Sequence, residues 1–212
     1  MTSWPGRGLY AVTDSSLLTD RDLAGAVANA IDGGARAVQY RDKSTDHRKR
    51  RQEVSALLAL CREAGVPLII NDDVDLAKAI GADGVHVGLQ DTGVAAAREA
   101  LGAGAIIGAS CNDSLERAQA AADAGASYVA FGRFFPSKTK PKATSAPLGL
   151  LHRARTRLRL PIVAIGGITP ENGALLLNAG ADLLAVVQGV FAAHDVARAA
   201  RRFHDLFDPQ QS

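Results

Sequence analysis

Eight short apolar runs recur along the chain, nearly all introduced by Gly or Pro, and several end in a polar cluster. Ile69-Ile70 runs into Asn71-Asp72-Asp73, and Gly84-Val85-His86-Val87-Gly88 is followed by Asp91. A weak repeat underlies the pattern: Gly33-Gly34-Ala35-Arg36-Ala37-Val38, Gly81-Ala82-Asp83-Gly84-Val85, Gly125-Ala126-Ser127-Tyr128-Val129 and Gly180-Ala181-Asp182-Leu183-Leu184. Gly takes the left-handed conformation that closes a helix, and an apolar strand buried on both faces follows. Strands are predicted near residues 8–13, 36–40, 68–70, 83–87, 105–109, 127–132, 161–165 and 183–187. Helical stretches rich in Ala, Leu and Arg fall between them, at 23–31, 48–64, 76–79, 93–101, 114–124, 148–157, 170–178 and 196–206.

Eight strands alternating with eight helices predict a compact (β/α)8 TIM barrel of the α/β class, with a doubly wound sheet as the main rival. No linker or charge block divides the chain, so residues 1–212 are read as one domain whose tail, Asp208 to Ser212, is expected to fray.

Composition narrows the partners. The 24 basic and 22 acidic residues nearly balance, which gives no argument for nucleic acid or membrane. No apolar run is long enough to cross a bilayer, and Met1 to Arg7 does not read as a signal peptide. Cys61 and Cys111 are too few for a disulfide framework, so a cytoplasmic protein with reduced thiols is expected. Barrels of this kind often pair through outer helices; a homo-oligomer is therefore open, with no interface identifiable in the sequence.

The chemistry gathers where barrel active sites form, at the C-terminal ends of strands. After the second strand, alternation puts Gln39, Arg41 and Lys43 on one side and Tyr40 and Asp42 on the other. Two cations and an amide suit a polyphosphate or carboxylate, although a solvated strand end reads the same way. Asp72 and Asp91 fall on neighbouring strand ends. Paired carboxylates suit Mg²⁺, which keeps waters and takes phosphate oxygens; helix capping is the rival for Asp73 and Asp91. Ser110 follows the fifth strand, with no His-Asp pair placed to make it a nucleophile.

The segment from Pro136 to Ala146 is basic and hydroxyl-rich, and reads either as a loop over the site, with Lys140 reaching a phosphate, or as a plain surface loop. Gly166-Gly167 and Val187-Gln188-Gly189 follow the last two strands, where many barrels bind phosphate through backbone N–H groups. The run His47-Arg48-Lys49-Arg50-Arg51 is read as a solvated helix face. His86 is read as a hydrogen-bonded core residue. Without a His/Cys cluster, zinc is not expected.

These residues, in this order, resemble the thiamine-phosphate synthase family over nearly the whole chain, from Leu9 to Gln188. The most specific pieces are Gln39-Tyr40-Arg41-Asp42-Lys43, Asn71-Asp72-Asp73, Gly84-Val85-His86-Val87-Gly88 with Asp91, Phe135-Pro136-Ser137-Lys138-Thr139-Lys140 and Ile165-Gly166-Gly167-Ile168. The resemblance implies a (β/α)8 barrel that joins hydroxymethylpyrimidine diphosphate to a thiazole phosphate, giving thiamine phosphate and diphosphate. It implies that Gln39, Arg41, Lys43, Asn71, Ser110 and Lys140 contact the pyrimidine diphosphate, with Lys140, Ser110 and Arg41 acting on the reaction. It assigns Asp72 and Asp91 to Mg²⁺, and Ser137, Thr139, Gly166, Gly167, Val187 and Gln188 to the thiazole phosphate.

The chain departs from the family pattern at Leu89-Gln90, where Gln and an acidic residue are usual. Asn112 stands for His, Arg133 for Pro, Ser137 for Thr and Gln188 for Ser. The metal and diphosphate side is intact and the thiazole side altered. Two other readings remain: an isomerase like the related thiazole tautomerase, and a non-catalytic barrel that binds a thiamine precursor.

Overall fold

The computed structural model describes residues 3–18, 22–88, 93–136 and 145–208. Its strands are β1 (Gly8–Val12), β2 (Ala35–Tyr40), β3 (Leu68–Asn71), β4 (Gly84–Val87), β5 (Ile106–Asn112), β6 (Tyr128–Gly132), β7 (Ile162–Ile165) and β8 (Leu183–Val186). They close in sequence order into a parallel barrel, with β1 pairing both β2 and β8. The helices are α1 (Leu23–Asp32), α2 (His47–Glu63), α3 (Val74–Ile80), α4 (Val94–Leu101), α5 (Leu115–Asp123), α6 (Gly149–Arg157), α7 (Pro170–Asn178), α8 (Gln188–Phe191) and α9 (Val196–His204). The architecture is a single-domain (β/α)8 barrel. No helix among the described residues is long and apolar enough to cross a membrane.

Three departures from the sequence reading bear on the site. A ninth helix, the four-residue α8, intervenes between β8 and the last outer helix, α9. The fifth strand runs to Asn112, so Ser110 lies within β5 rather than after it: Cys111 is buried, and Asn112, at φ 51°, turns the chain into the left-handed region. Helix α3 begins at Val74 because Asp73 caps it, its carboxylate accepting from Leu76 N at 2.8 Å. At the other end of the chain, Asp208 donates its N–H to the Asp205 carbonyl, while 209–212, the rest of the expected fray, lie outside the described residues.

The apolar side chains sort into two layers. Val38, Tyr40, Leu68, Ile70, Val85, Val87 and Ile107 point outward and pack under the helices. Tyr10, Val12, Ala37, Ile69, Ile106, Tyr128, Val163 and Leu183 point inward and fill the barrel. The Tyr128 ring lies over Gly108, where any Cβ would collide with its phenol carbons. Trp4, just before β1, stacks face to face on Tyr128 with centroids 4.0 Å apart and meets Tyr10 edge-on at 5.2 Å. It enters from the N-terminal end of the strands, so the polar chemistry is left to the opposite end.

Candidate functional site

At the end of β1, Asp14 accepts from Ser16 N at 3.0 Å and from the Ser16 hydroxyl at 2.6 Å, which fixes a tight turn. Its second oxygen takes the Arg41 guanidinium at 2.8 Å, with both side chains mostly buried. Arg41 N also donates to Thr13 Oγ1 at 2.9 Å. Arg41 is thus held just beyond β2 by the β1 end.

Alternation sorts the β2 neighbours as expected. Gln39 points into the barrel, where its Nε2 donates to Tyr10 Oη at 2.8 Å. Tyr40 and Asp42 point outward toward α2: Tyr40 donates to Glu53 at 2.6 Å, and Asp42 takes Lys49 Nζ at 2.9 Å and Ser44 N at 2.7 Å. Burial pushes the Asp42 carboxyl up, but the Ser44 N–H, Lys49 and the Ser44 hydroxyl outweigh it and leave the pKa at about 2. This locked cluster braces the turn that carries Arg41 and the exposed Lys43.

The basic run at the start of α2 is therefore more than a solvated face. Lys49 holds Asp42, and Arg50, only 12% exposed, pairs with Asp73 at 2.9 Å. A cavity of about 740 Å³ opens beside this cluster and shares Thr13 and Arg41 with the strand ends.

At the end of β3, Asn71 Nδ2 donates to the Asp72 carboxylate at 2.6 Å. Asp72 stands at φ 64°, a left-handed conformation that Asp tolerates better than most residues, and its N–H bonds to the His86 carbonyl at 2.9 Å. Asp73 does the helix capping, which leaves Asp72 as the half-buried carboxylate at the strand end. Capping at α4 falls to Gly93; Asp91 lies outside the described residues.

His86 is a buried, hydrogen-bonded residue, as its place within a strand implies. Its Nε2 sits 2.9 Å from Ser110 Oγ and its Nδ1 2.9 Å from Tyr128 Oη. A Ser–His pair that the sequence did not disclose therefore exists, but Nδ1 faces a phenol where a hydrolase triad has a carboxylate. Burial raises the Cys111 thiol to about 12, so this neighbour of Ser110 is a packing residue rather than a nucleophile.

Across the barrel, the end of β7 and the loop after β6 pack together. Gly166 (φ 104°) and Gly167 (φ 65°) make the turn after β7. A Cβ on Gly166 would strike the Arg133 side chain, and one on Gly167 the Phe135 and Pro136 carbonyl oxygens. Phe135 N bonds to the Gly166 carbonyl at 3.1 Å. Both glycines are thus required by close backbone approach. Val187 caps α8 and Gln188 begins it, so their strand end offers N–H groups at the start of a short extra helix. Ser137, Thr139 and Lys140, like Leu89 and Gln90, lie outside the described residues.

The described candidates Gln39, Arg41, Asn71, Asp72, Ser110, Gly166, Gly167, Val187 and Gln188 thus share the C-terminal end of one barrel, near or at strand termini. Sequence reasoning missed Asp14 as the partner of Arg41, though Asp14 also stands at a strand end and the same rule reaches it. It missed His86 beside Ser110 because it treated a histidine inside a strand as core alone.

Known proteins place this geometry. The family model described as thiamine monophosphate synthase matches residues 9–190. A thiamine-phosphate synthase from Nitrosococcus oceani is 53% identical over 201 residues, spanning 95% of this chain and 93% of that protein. One from Methylococcus capsulatus is 55% identical over 204 residues, spanning 96% and 91%. The solved thiamine phosphate pyrophosphorylase from Pyrococcus furiosus superposes with a TM-score of 0.86 at 34% identity, covering 95% of each chain.

Proposed function

The chain belongs to the thiamine monophosphate synthase family, and from that premise we propose that it joins hydroxymethylpyrimidine diphosphate to a thiazole phosphate in a Mg²⁺-assisted transfer. The observation that carries this reading is the grouping of Arg41, Asn71, Asp72, Gln39 and Ser110 around one barrel mouth, which the glycine turn of β7 and the start of α8 share. The first set suits a diphosphate and a flat heterocycle; the second suits a phosphate monoester.

The donor set fits a hard cation. Asp72 is a half-buried oxygen donor at a strand end, and few protein ligands are needed where substrate phosphate oxygens complete the shell. Asp72 and Asp91 would hold Mg²⁺, which when bound neutralises charge on the departing diphosphate. Arg41, fixed by Asp14, binds and orients that diphosphate, and Lys140 supplies a further cation. The bond between the pyrimidinylmethyl carbon and the diphosphate oxygen breaks with its electron pair going to oxygen. The thiazole nitrogen lone pair then forms the new C–N bond, so no proton and no covalent enzyme intermediate are required. Gly166, Gly167, Val187 and Gln188, with Ser137 and Thr139, hold the thiazole phosphate.

The test is to incubate the protein with both phosphorylated precursors and Mg²⁺ and to follow diphosphate and thiamine phosphate. Equimolar appearance of both products is expected. A tautomerase-like isomerase or a simple precursor-binding barrel releases neither. EDTA should abolish turnover without unfolding the protein, and Asp72→Ala should behave as the metal-depleted protein; full activity in EDTA would overturn the metal assignment.

A further inference from the structure

Four hydrogen bonds run end to end through the barrel interior. Gln39 Nε2 donates to Tyr10 Oη at 2.8 Å, Tyr10 Oη meets Tyr128 Oη at 2.8 Å, and Tyr128 Oη meets His86 Nδ1 at 2.9 Å. His86 Nε2 then meets Ser110 Oγ at 2.9 Å. The five residues come from β2, β1, β6, β4 and β5, and both phenols are fully buried. The two ends, Gln39 and Ser110, belong to the proposed pyrimidine site. The three residues between them have no role in the reaction drawn above.

The chain has a direction. Tyr10 accepts from the Gln39 amide, so its single proton goes to Tyr128 Oη. Tyr128 in turn gives its proton to His86 Nδ1, since a buried hydroxyl left without an acceptor is costly. An imidazole accepting at Nδ1 carries its proton on Nε2 and donates it to Ser110 Oγ. The Ser110 proton is then left over, facing away from the chain, and at the far end Gln39 Oε1 is left over as an acceptor. Reversing any one link requires reversing all of them and turning the Gln39 amide over.

We propose that Tyr10, Tyr128 and His86 are positioning residues that fix Gln39 as an acceptor and Ser110 as a donor, and so select a heterocycle bearing an exocyclic amine at one end and a ring-nitrogen acceptor at the other. This deepens the reading of the site as an aminopyrimidine diphosphate site and rests on it. Trp4, stacked under Tyr128, closes the chain off from the N-terminal end of the barrel and is the only tryptophan in the sequence.

Two measurements test the proposal on the full-length protein. The first is the tautomer of His86 by long-range proton–nitrogen correlation in ¹⁵N-histidine protein, with His86→Gln assigning the signals. The expected form carries its proton on Nε2. The second is calorimetric binding of the aminopyrimidine diphosphate and of an analogue whose amine is replaced by a carbonyl oxygen. The wild type should prefer the amine by roughly a hundredfold, because the analogue sets acceptor against acceptor at Gln39. Tyr10→Phe frees the amide to turn over, and the preference should fall by about tenfold or more while binding of the thiazole phosphate is unchanged.

A purely structural role for Tyr10 would weaken both pyrimidines equally. Thermal melting and Trp4 emission check that the variant is folded; if it is not, Tyr128→Phe, which cuts the chain one link further on, gives the same comparison. A His86 proton on Nδ1, or an amine preference that survives Tyr10→Phe, overturns the proposal. Wild-type protein that binds the amine with the stated preference yet forms no thiamine phosphate would instead overturn the functional reading.

Discussion

Asp42→Asn isolates one charge in the cluster that braces the Arg41 turn. The side chain is 1% exposed, and its partners include Ser44 N at 2.7 Å, Lys49 Nζ at 2.9 Å and the Ser44 hydroxyl at 3.0 Å. The carboxyl falls from 3.8 to about 2 in the folded protein. That difference corresponds to about 2 kcal/mol of stability at neutral pH.

Asparagine keeps an oxygen for the Ser44 N–H, and Lys49 is 44% exposed, so the screened ion pair returns less than its contact distance implies. The expected loss is therefore about 1–2 kcal/mol, or roughly 4 °C in Tm for a chain of this size. The sign of the pH dependence follows from the depressed value. The contribution is fully present above about pH 4 and disappears as pH falls through about 2, with about half remaining at pH 3. Urea unfolding of both proteins at pH 7 and pH 3 measures this. The gap between them should shrink by about half at the lower pH. A gap of the same size at both, or none at pH 7, would show that Asp42 is held by shape rather than by its charge.

Two substitutions at the mouth should separate the two substrates. Arg41→Met should raise the KM for the pyrimidine diphosphate by about 10- to 10²-fold, the worth of a hydrogen bond between charged groups, and it should also cost about 1 kcal/mol of stability, because Asp14, 13% exposed, loses its cation; steady-state kinetics and a denaturation curve give the two numbers. Gln188→Ser should change the KM for the thiazole phosphate and leave that for the pyrimidine diphosphate nearly unchanged, since Gln188 opens α8 after β8, two strands round the barrel from the β2 end that carries Arg41; equal shifts in both constants would place Gln188 away from the phosphate.

The barrel was legible because most of its strands are announced by the same local chemistry. A glycine in the left-handed region ends the preceding helix, as Gly81 does at φ 72°, and a short apolar run follows. Two features escaped for opposite reasons. The four residues Gln188–Phe191 are too short for helical periodicity to register. Ser110-Cys111-Asn112 fell beyond the strand expected near 105–109, yet Cys111 is buried and the ladder continues beside β6 to Asn112. Tertiary pairing overrode a turn-like sequence there.

The internal chain of hydrogen bonds was hidden by a deeper ambiguity. In a barrel strand both faces are buried, so an apolar run does not say which side chains look inward. One polar anchor per strand removes that ambiguity. Gln39 faces the interior, so Ala37 does too, and Val38 and Tyr40 face the helices. His86 faces inward between Val85 and Val87, which both join the outer layer. In β5, Ile106, Gly108 and Ser110 look in, while Ile107, Ala109 and Cys111 look out. Period-two alternation then brings Gln39, His86 and Ser110 into one space from sequence alone. What it does not supply is Tyr10 and Tyr128, which read as apolar until their hydroxyls must find partners in a closed interior. The demand that every buried polar atom be satisfied is what joins these five residues into a single directed chain.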